Sequence, residues 1–318
     1  MNILVTGATG FIGSQVAREL LKRGHRVRAS RLHADDTIRV ADVVDAIDWV
    51  TVDLMGASRE DLAALCDSVG ACVHAAWYVE PGRYVHAPQN IEWVTVSMRI
   101  LEALADAGCL RAAYIGTCFE YDHRYGYLSE STPTAPWTLY GTAKLSTSLM
   151  GGQLARDRDV AFSWVRLFYQ YGPHEYSQRL VPYVIRSLLR GEDAEIGSGE
   201  EVRDFLHVAD VGAAIADVVL SDCAGAVNVG SGHPVRVRDL VTEIARQLES
   251  QDRVRFGARP DSPSNPPFIC ANNSRLISEV GWRPRYTLED GLRETIEWWK
   301  NELAGAARDE ASAGTRSS

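Results

Sequence analysis

The stretch Gly7-Ala8-Thr9-Gly10-Phe11-Ile12-Gly13 constrains this chain more than any other. It follows the apolar run Ile3-Leu4-Val5 and opens a pattern of Phe11, Ile12, Val16, Leu20 and Leu21. Apolar residues at that interval line one face of a helix, so the order reads strand, glycine turn, helix. The spacing G-x-x-G-x-x-G asks for glycine on physical grounds. The turn needs positive φ, the backbone must come close to a ligand, and the helix must pack tightly on the strand. Unpaired N–H groups at the helix start, with the helix dipole, make this turn a seat for phosphate. Gly7, Thr9, Gly10, Phe11, Ile12 and Gly13 are therefore read as dinucleotide contacts.

A chain of 318 residues is long for one compact domain and short for three, so one or two domains sharing a large core are expected. The formal net charge of −9 argues against nucleic acid and anionic membranes as partners. No run approaches the roughly eighteen apolar residues of a membrane span, and Met1-Asn2 leads straight into a strand, so neither span nor signal peptide is expected. The six cysteines form no C-x-x-C pair or metal pattern, which reads as reduced thiols in a cytoplasmic, metal-free protein. Lysine is confined to Lys22, Lys144 and Lys300, so Lys144 stands out against an arginine-rich background.

Strands expected at Arg26–Ala29, Ile47–Val52, Ala71–Ala76, Ala112–Gly116 and Ala161–Arg166 alternate with helical patterns, the longest over Asn90–Ala107. Alternation of this kind means right-handed crossovers and an α/β fold, a Rossmann-type doubly wound parallel sheet. The alternation loosens after residue 167. We expect a nucleotide-binding domain over 1–167, rejoined by about 204–230, and a smaller mixed α/β substrate domain over 168–303. A rigid connector spans Arg259–Pro267, and 304–318, small and polar, reads as a disordered tail.

The end of the second strand is where such a fold reads the adenosine ribose. An acidic residue there accepts from a 2′-hydroxyl, whereas arginine accommodates a 2′-phosphate. Ser30-Arg31 stand at that point, with no carboxylate until Asp35, so NADP(H) is favoured over NAD(H). Asp53 and Leu54 read as adenine-edge contacts, and His74, Ala75 and Ala76 as a strand end against the nicotinamide half. Thr117 ends another strand, and Tyr140 and Lys144 are four apart on one helix face. An ammonium beside a phenol favours phenolate, which suits Tyr140 to acid–base work.

Together these motifs, with Tyr171-Gly172-Pro173, Arg203-Asp204-Phe205 and Gly281-Trp282-Arg283-Pro284, resemble the extended short-chain dehydrogenase/reductase superfamily, in its nucleotide-sugar epimerase/dehydratase/ketoreductase branch. They run in family order over about residues 1 to 300. The resemblance implies that Tyr140 is the general acid–base, that Lys144 tunes it and holds the nicotinamide ribose, and that Thr117 bonds the reacting oxygen. It further implies a nucleotide-diphosphate sugar as substrate and a homodimer. Arg203, with Arg179 and Arg259, would clamp the diphosphate, since guanidinium pairs with phosphate bidentately. Trp77, Cys118, Phe119 and Tyr169 would face the sugar.

The departures from the branch narrow the reaction. Its dehydratases place an Asp-Glu pair directly after the threonine, where this chain has Cys118 and Phe119. Neither moves protons as a carboxyl does, which disfavours dehydration, and decarboxylases that keep the glutamate are disfavoured with it. Epimerases of the branch carry an acidic residue where Arg31 stands. Tyr169 and Trp93 replace asparagines that many members have, so the sugar is left open. The expectation is an NADPH-dependent ketoreductase of a nucleotide-activated 4-keto-6-deoxyhexose. The alternatives are an NAD-dependent nucleotide-sugar 4-epimerase and a non-catalytic NADP-binding regulator, the latter opposed by the intact Thr/Tyr/Lys set.

Overall fold

The computed structural model describes residues 1–32, 37–261 and 265–315. Asp35, Ser262–Ser264 of the connector and the last three residues of the expected tail lie outside them. Seven strands form one parallel sheet: β1 (Asn2–Thr6), β2 (Arg26–Arg31), β3 (Ile47–Thr51), β4 (Ala71–His74), β5 (Arg111–Thr117), β7 (Ala161–Leu167) and β11 (Gly225–Val229). Their order is β3-β2-β1-β4-β5-β7-β11. The first strand is thus central, and the chain steps outward from it in both directions, which opens a crevice at the carboxyl ends.

Strand alternation sorts the apolar residues into two layers. Ile3 and Val5 of β1, Ala113 and Ile115 of β5, and Val165 and Leu167 of β7 face α1 (Phe11–Lys22) and α6 (Val208–Leu220). Leu4, Cys72, Tyr114, Phe162 and Trp164 face the opposite way, toward α2 (Arg59–Cys66) and α3 (Gln89–Asp106). α4 (Leu139–Asp157) packs beside α3 on that second face. Burial on both faces is what a parallel sheet covered by crossover helices requires.

A second core lies under α5 (Leu180–Leu189), α7 (Val237–Gln247) and α9 (Leu288–Thr315), where Val184, Ile185, Leu240, Ile244, Leu292 and Ile296 are buried. Between the two cores the chain returns through β10 (Val202–His207), α6 and β11, and β11 pairs with β7. Short strands tie this half together. β8 (Tyr169–Tyr171) and β12 (Pro234–Arg236) flank β10, β9 (Ala194–Ile196) pairs with β13 (Val254–Phe256), and β6 (Tyr127–Leu128) pairs with β14 (Cys270–Ala271). α8 (Ser274–Glu279) closes the set.

α9 continues as helix to Thr315. α2 begins at Arg59, where Ser58 and Asp61 form a reciprocal capping box. One expectation is corrected. β4 ends at His74, and Ala75-Ala76 turn off the sheet.

The opening turn shows why its glycines are needed. Gly7 has φ +71°, and a Cβ there would meet the Ala76 backbone nitrogen at 2.7 Å. A Cβ on Gly13 would collide with the Gly7 carbonyl oxygen, because α1 sits directly on the turn. Gly13→Ala must push α1 off β1, and urea unfolding should show a loss of about 1–3 kcal/mol, the usual cost of overpacking. Wild-type stability in that variant would mean that α1 can slide at no cost.

Candidate active site

All the site residues nominated from the sequence except His74 line one cleft of about 1000 Å³ at the carboxyl ends of the sheet. One end is the glycine turn, Ser30, Arg31, Asp53 and Leu54; the other is lined by arginines. Thr117, Tyr140 and Lys144 also line it.

Local structure brings these three together. Thr117 ends β5 and is followed by the turn Cys118–Glu120. Thr138 caps α4 by accepting from the Gly141 N–H at 3.0 Å, and Gly141 has no Cβ to strike the Phe119 carbonyl oxygen, 2.5 Å from where that atom would lie. The helix start is thereby seated on the turn. The Tyr140 N–H donates to the Val85 carbonyl at 3.0 Å, and the Tyr140 phenol is hydrogen-bonded to the Thr117 hydroxyl.

Electrostatics in this corner depart from expectation. Burial, with the nearby Tyr84 and Glu120, pushes the Tyr140 phenol above its ordinary range; the Thr117 hydrogen bond pulls the other way. Lys144 was expected to lower that value. Its Nζ instead donates to the Ile115 carbonyl at 2.8 Å and stands 3.6 Å above the Trp77 ring centre, against 5.9 Å from that of Tyr140. Burial pushes the ammonium down to about 7, and Glu120 pulls it back up.

His74 is also corrected. It is 3% exposed, Nδ1 bonds the Thr6 hydroxyl at 2.7 Å, and Nε2 bonds the Ser97 hydroxyl at 2.9 Å. Burial, then the Lys144 charge, holds it down at about 3, so it joins β1, β4 and α3 as a neutral ring without reaching the cleft.

The arginines come from three elements. Arg203 of β10 is buried and donates to the Val202 carbonyl at 2.8 Å, its guanidinium 5.5 Å from the Tyr169 ring centre. Arg179, preceding α5, lies 5.6 Å from the Tyr84 ring centre, and Arg259 donates to the Tyr183 hydroxyl at 2.8 Å. Three guanidinium groups lining one cleft fit an anion of more than one charge. At the opposite end Arg31 stacks 5.1 Å from the Trp49 ring centre, and its buried Nε has no partner among the described residues. The cradle around Gly7 and this unpartnered donor fit a phosphate-bearing dinucleotide.

The sequence model of the NAD dependent epimerase/dehydratase family matches residues 3–230. The chain is an enzyme of that family. It is 27% identical over 325 residues to a dTDP-glucose 4,6-dehydratase of Streptomyces niveus, covering 96% of this chain and 94% of the relative. A dTDP-6-deoxy-L-talose 4-dehydrogenase (NAD(+)) of Aggregatibacter actinomycetemcomitans is 25% identical over 266 residues, covering 82% of this chain and 95% of the relative. MoeE5 in complex with UDP-glucose and NAD superimposes with a TM-score of 0.81 at 26% identity, over 95% of this chain and 100% of that one. DesIV, a dTDP-glucose 4,6-dehydratase from Streptomyces venezuelae with NAD and TYD bound, gives 0.81 at 26% identity, over 95% and 97%.

Two residues of this epimerase/dehydratase-family enzyme were missed in the sequence. Glu120 is fully buried under the catalytic corner. Its carboxylate accepts from the Thr117 N–H at 2.8 Å, from Trp164 Nε1 at 2.9 Å and from Arg166 Nε at 2.7 Å. Burial pushes Glu120 up against the pull of Arg166 and these donors. The capping-box spacing Thr117-x-x-Glu120 is its local signal, while its partners Trp164 and Arg166 lie a strand away. Glu175, after Tyr171-Gly172-Pro173, lines the cleft with Oε2 unpartnered; burial pushes it up to about 8, and Arg179 is the charge opposing that shift.

Glu120→Leu would strand the buried Arg166 guanidinium and should cost about 3–5 kcal/mol in urea unfolding. The double variant Glu120→Leu/Arg166→Met should recover much of that loss. Additive losses would mean that the two side chains are not coupled.

Proposed function

We propose that this enzyme is an NADPH-dependent ketoreductase acting on a nucleotide-activated 4-keto-6-deoxyhexose. The observation that carries the reading is that the turn Cys118–Glu120, directly after Thr117, holds no free proton-moving group. Cys118 is buried and burial pushes its thiol up, Phe119 has no exchangeable proton, and the Glu120 carboxylate is occupied by Arg166, Trp164 and the Thr117 N–H. Loss of water across C5–C6 needs a base for the C5 proton and an acid for the departing hydroxyl, and this corner offers neither in free form. Reduction of a ketone needs one proton, and Tyr140, a phenol that holds its proton, is placed to supply it.

When bound, the nicotinamide dinucleotide supplies hydride to the sugar ketone. Tyr140 protonates the alkoxide as it forms, and Thr117, bonded to the same phenol, steadies that oxygen. Lys144 stands beside them, its Nζ 5.9 Å from the Tyr140 ring centre. Arg179, Arg203 and Arg259 hold the diphosphate and fix the sugar end of the substrate. Ser30 and Arg31 would take a 2′-phosphate, with the unpartnered Arg31 Nε as a donor. The relative named as a 4-dehydrogenase of a dTDP-6-deoxy sugar supports redox chemistry at C4. The relatives named as dehydratases share the fold, but this chain has Cys118 and Phe119 directly after Thr117. For the homodimer that the resemblance implies, the exposed Ile91, Leu149 and Met150 on α3 and α4 are the surface we propose.

Cofactor choice tests the role of Arg31. NADPH should bind more tightly than NADH, and Arg31→Asp should cost NADPH about 1.5–3 kcal/mol, tenfold or more. Equal affinities in the wild type, measured by fluorescence titration, would remove the argument for a 2′-phosphate.

The reaction is tested by supplying a nucleotide 4-keto-6-deoxyhexose with NADPH, and separately an unmodified nucleotide hexose without reductant. The first should consume NADPH stoichiometrically with hydride delivered to C4, and the second should be unchanged. Tyr140→Phe should lower kcat by about 10²–10⁴ while leaving cofactor affinity intact. A 4-epimer formed without reductant would establish the epimerase, and an unsaturated or keto product the dehydratase.

A further inference from the structure

The segment between β4 and α3 lies over the catalytic pair, and two of its rings touch it. Trp77 receives the Lys144 ammonium on its face at 3.6 Å, and Tyr84 meets the Tyr140 ring edge-on at 4.9 Å. Trp77 Nε1 donates to Asn90 Oδ1 at 2.8 Å, and Asn90 Nδ2 donates to the carbonyls of Tyr84 at 2.6 Å and Ala87 at 2.9 Å. Asn90 is fully buried at the start of α3, so one amide holds the Trp77 ring and the Tyr84 backbone. Trp93, one turn on, stacks on Trp77 at 6.0 Å.

We propose that Trp77 is a positioning residue for Lys144, its indole face holding the side chain in its charged form at the bottom of the cleft. The need for such a partner follows from the surroundings. Lys144 is 4% exposed, and among the described residues its hydrogen-bond acceptor is the neutral Ile115 carbonyl. Groups facing the ammonium from the packed elements are Glu120 from the turn after β5, Tyr140 from α4 and the neutral His74 from β4. Glu120 favours the charge but is shared with Arg166. A desolvated ammonium over tryptophan is the strongest form of the cation–π contact. Removing the ring withdraws a contact made only by the charged form, so the titration midpoint of Lys144 must fall.

The inference rests on Lys144 being part of the proposed catalytic set, but its test does not need turnover. The chain has only the lysines Lys22, Lys144 and Lys300, so protein labelled with ¹³Cε-lysine gives a readable spectrum, with Lys144 assigned by its loss in Lys144→Met. In the wild type the Lys144 ε-methylene should be shifted upfield by the indole ring current. In Trp77→Leu that shift should vanish and the titration midpoint should fall by about one pH unit or more. Trp77→Phe keeps an aromatic face in a smaller, weaker ring and should give a smaller fall; it decides the matter if the leucine variant does not fold. The alkaline limb of kcat/KM should move in the same direction. An unchanged or raised midpoint in the folded variants overturns the role of Trp77. The expected midpoints in an enzyme that fails to reduce the keto sugar would overturn the proposed function and leave this contact standing.

Discussion

The carboxylate of Glu120 is the hinge of the corner that holds Thr117, Tyr140 and Lys144. It fixes the turn after β5 through the Thr117 N–H and fastens it to β7 through Trp164 and Arg166. α4 is seated on that same turn, so the geometry of Thr117, Tyr140 and Lys144 descends from one buried pair. A buried ion pair is poor evidence of net stability, because desolvation offsets much of the attraction. Its value here is direction: a carboxylate with three donors has little choice of orientation, and the strand end inherits that restriction. The same commitment withholds the carboxylate from substrate, so the group that builds the corner also narrows its chemistry.

What was legible in the sequence is what is local. The glycine turn is readable because one strand, one turn and one helix meet within a dozen residues and sterics leave no choice of side chain. Tyr140 and Lys144 are readable because helical spacing puts them on one face. The seven-stranded sheet follows from alternation, since each buried strand is a short apolar run between amphipathic helices. Ser58-x-x-Asp61 carries the capping signal that starts α2.

The remainder depends on contacts that no spacing encodes. Trp164 and Arg166 meet Glu120 only because β5 and β7 are neighbours. Asp204 accepts from the Ser231, Gly232 and Ala271 backbones and so shapes the base of the arginine-lined region, yet in sequence it is one residue of an arginine motif. His74 looked like a cleft residue because small residues follow it, and only the folded chain shows its two ring nitrogens spent on Thr6 and Ser97. The strands of two or three residues, such as β6 and β14, are too short to show any period. Lys144 over Trp77 joins positions 67 apart in number, a distance read from the sequence itself.

The charge distribution gives the cleft its character. A chain with net charge −9 gathers Arg179, Arg203 and Arg259 at one end of the cleft and Arg31 and Arg39 at the other. Between these cationic ends lies an aromatic middle, Trp77, Tyr84, Phe119 and Tyr169, with the Lys144 ammonium 5.9 Å from the Tyr140 ring centre. In the proposed function, two phosphate-bearing ligands would enter from opposite ends and bring their uncharged parts together over Thr117, Tyr140 and Lys144. Fold alone does not choose among reduction, epimerisation and elimination, for relatives named for different reactions share it. The choice lies in which proton-moving groups remain free in that aromatic middle. With Glu120 committed and phenylalanine at 119, the free one beside Thr117 is Tyr140. A single acid beside a hydride acceptor suffices for reduction, whereas elimination of water also requires a base at the neighbouring carbon.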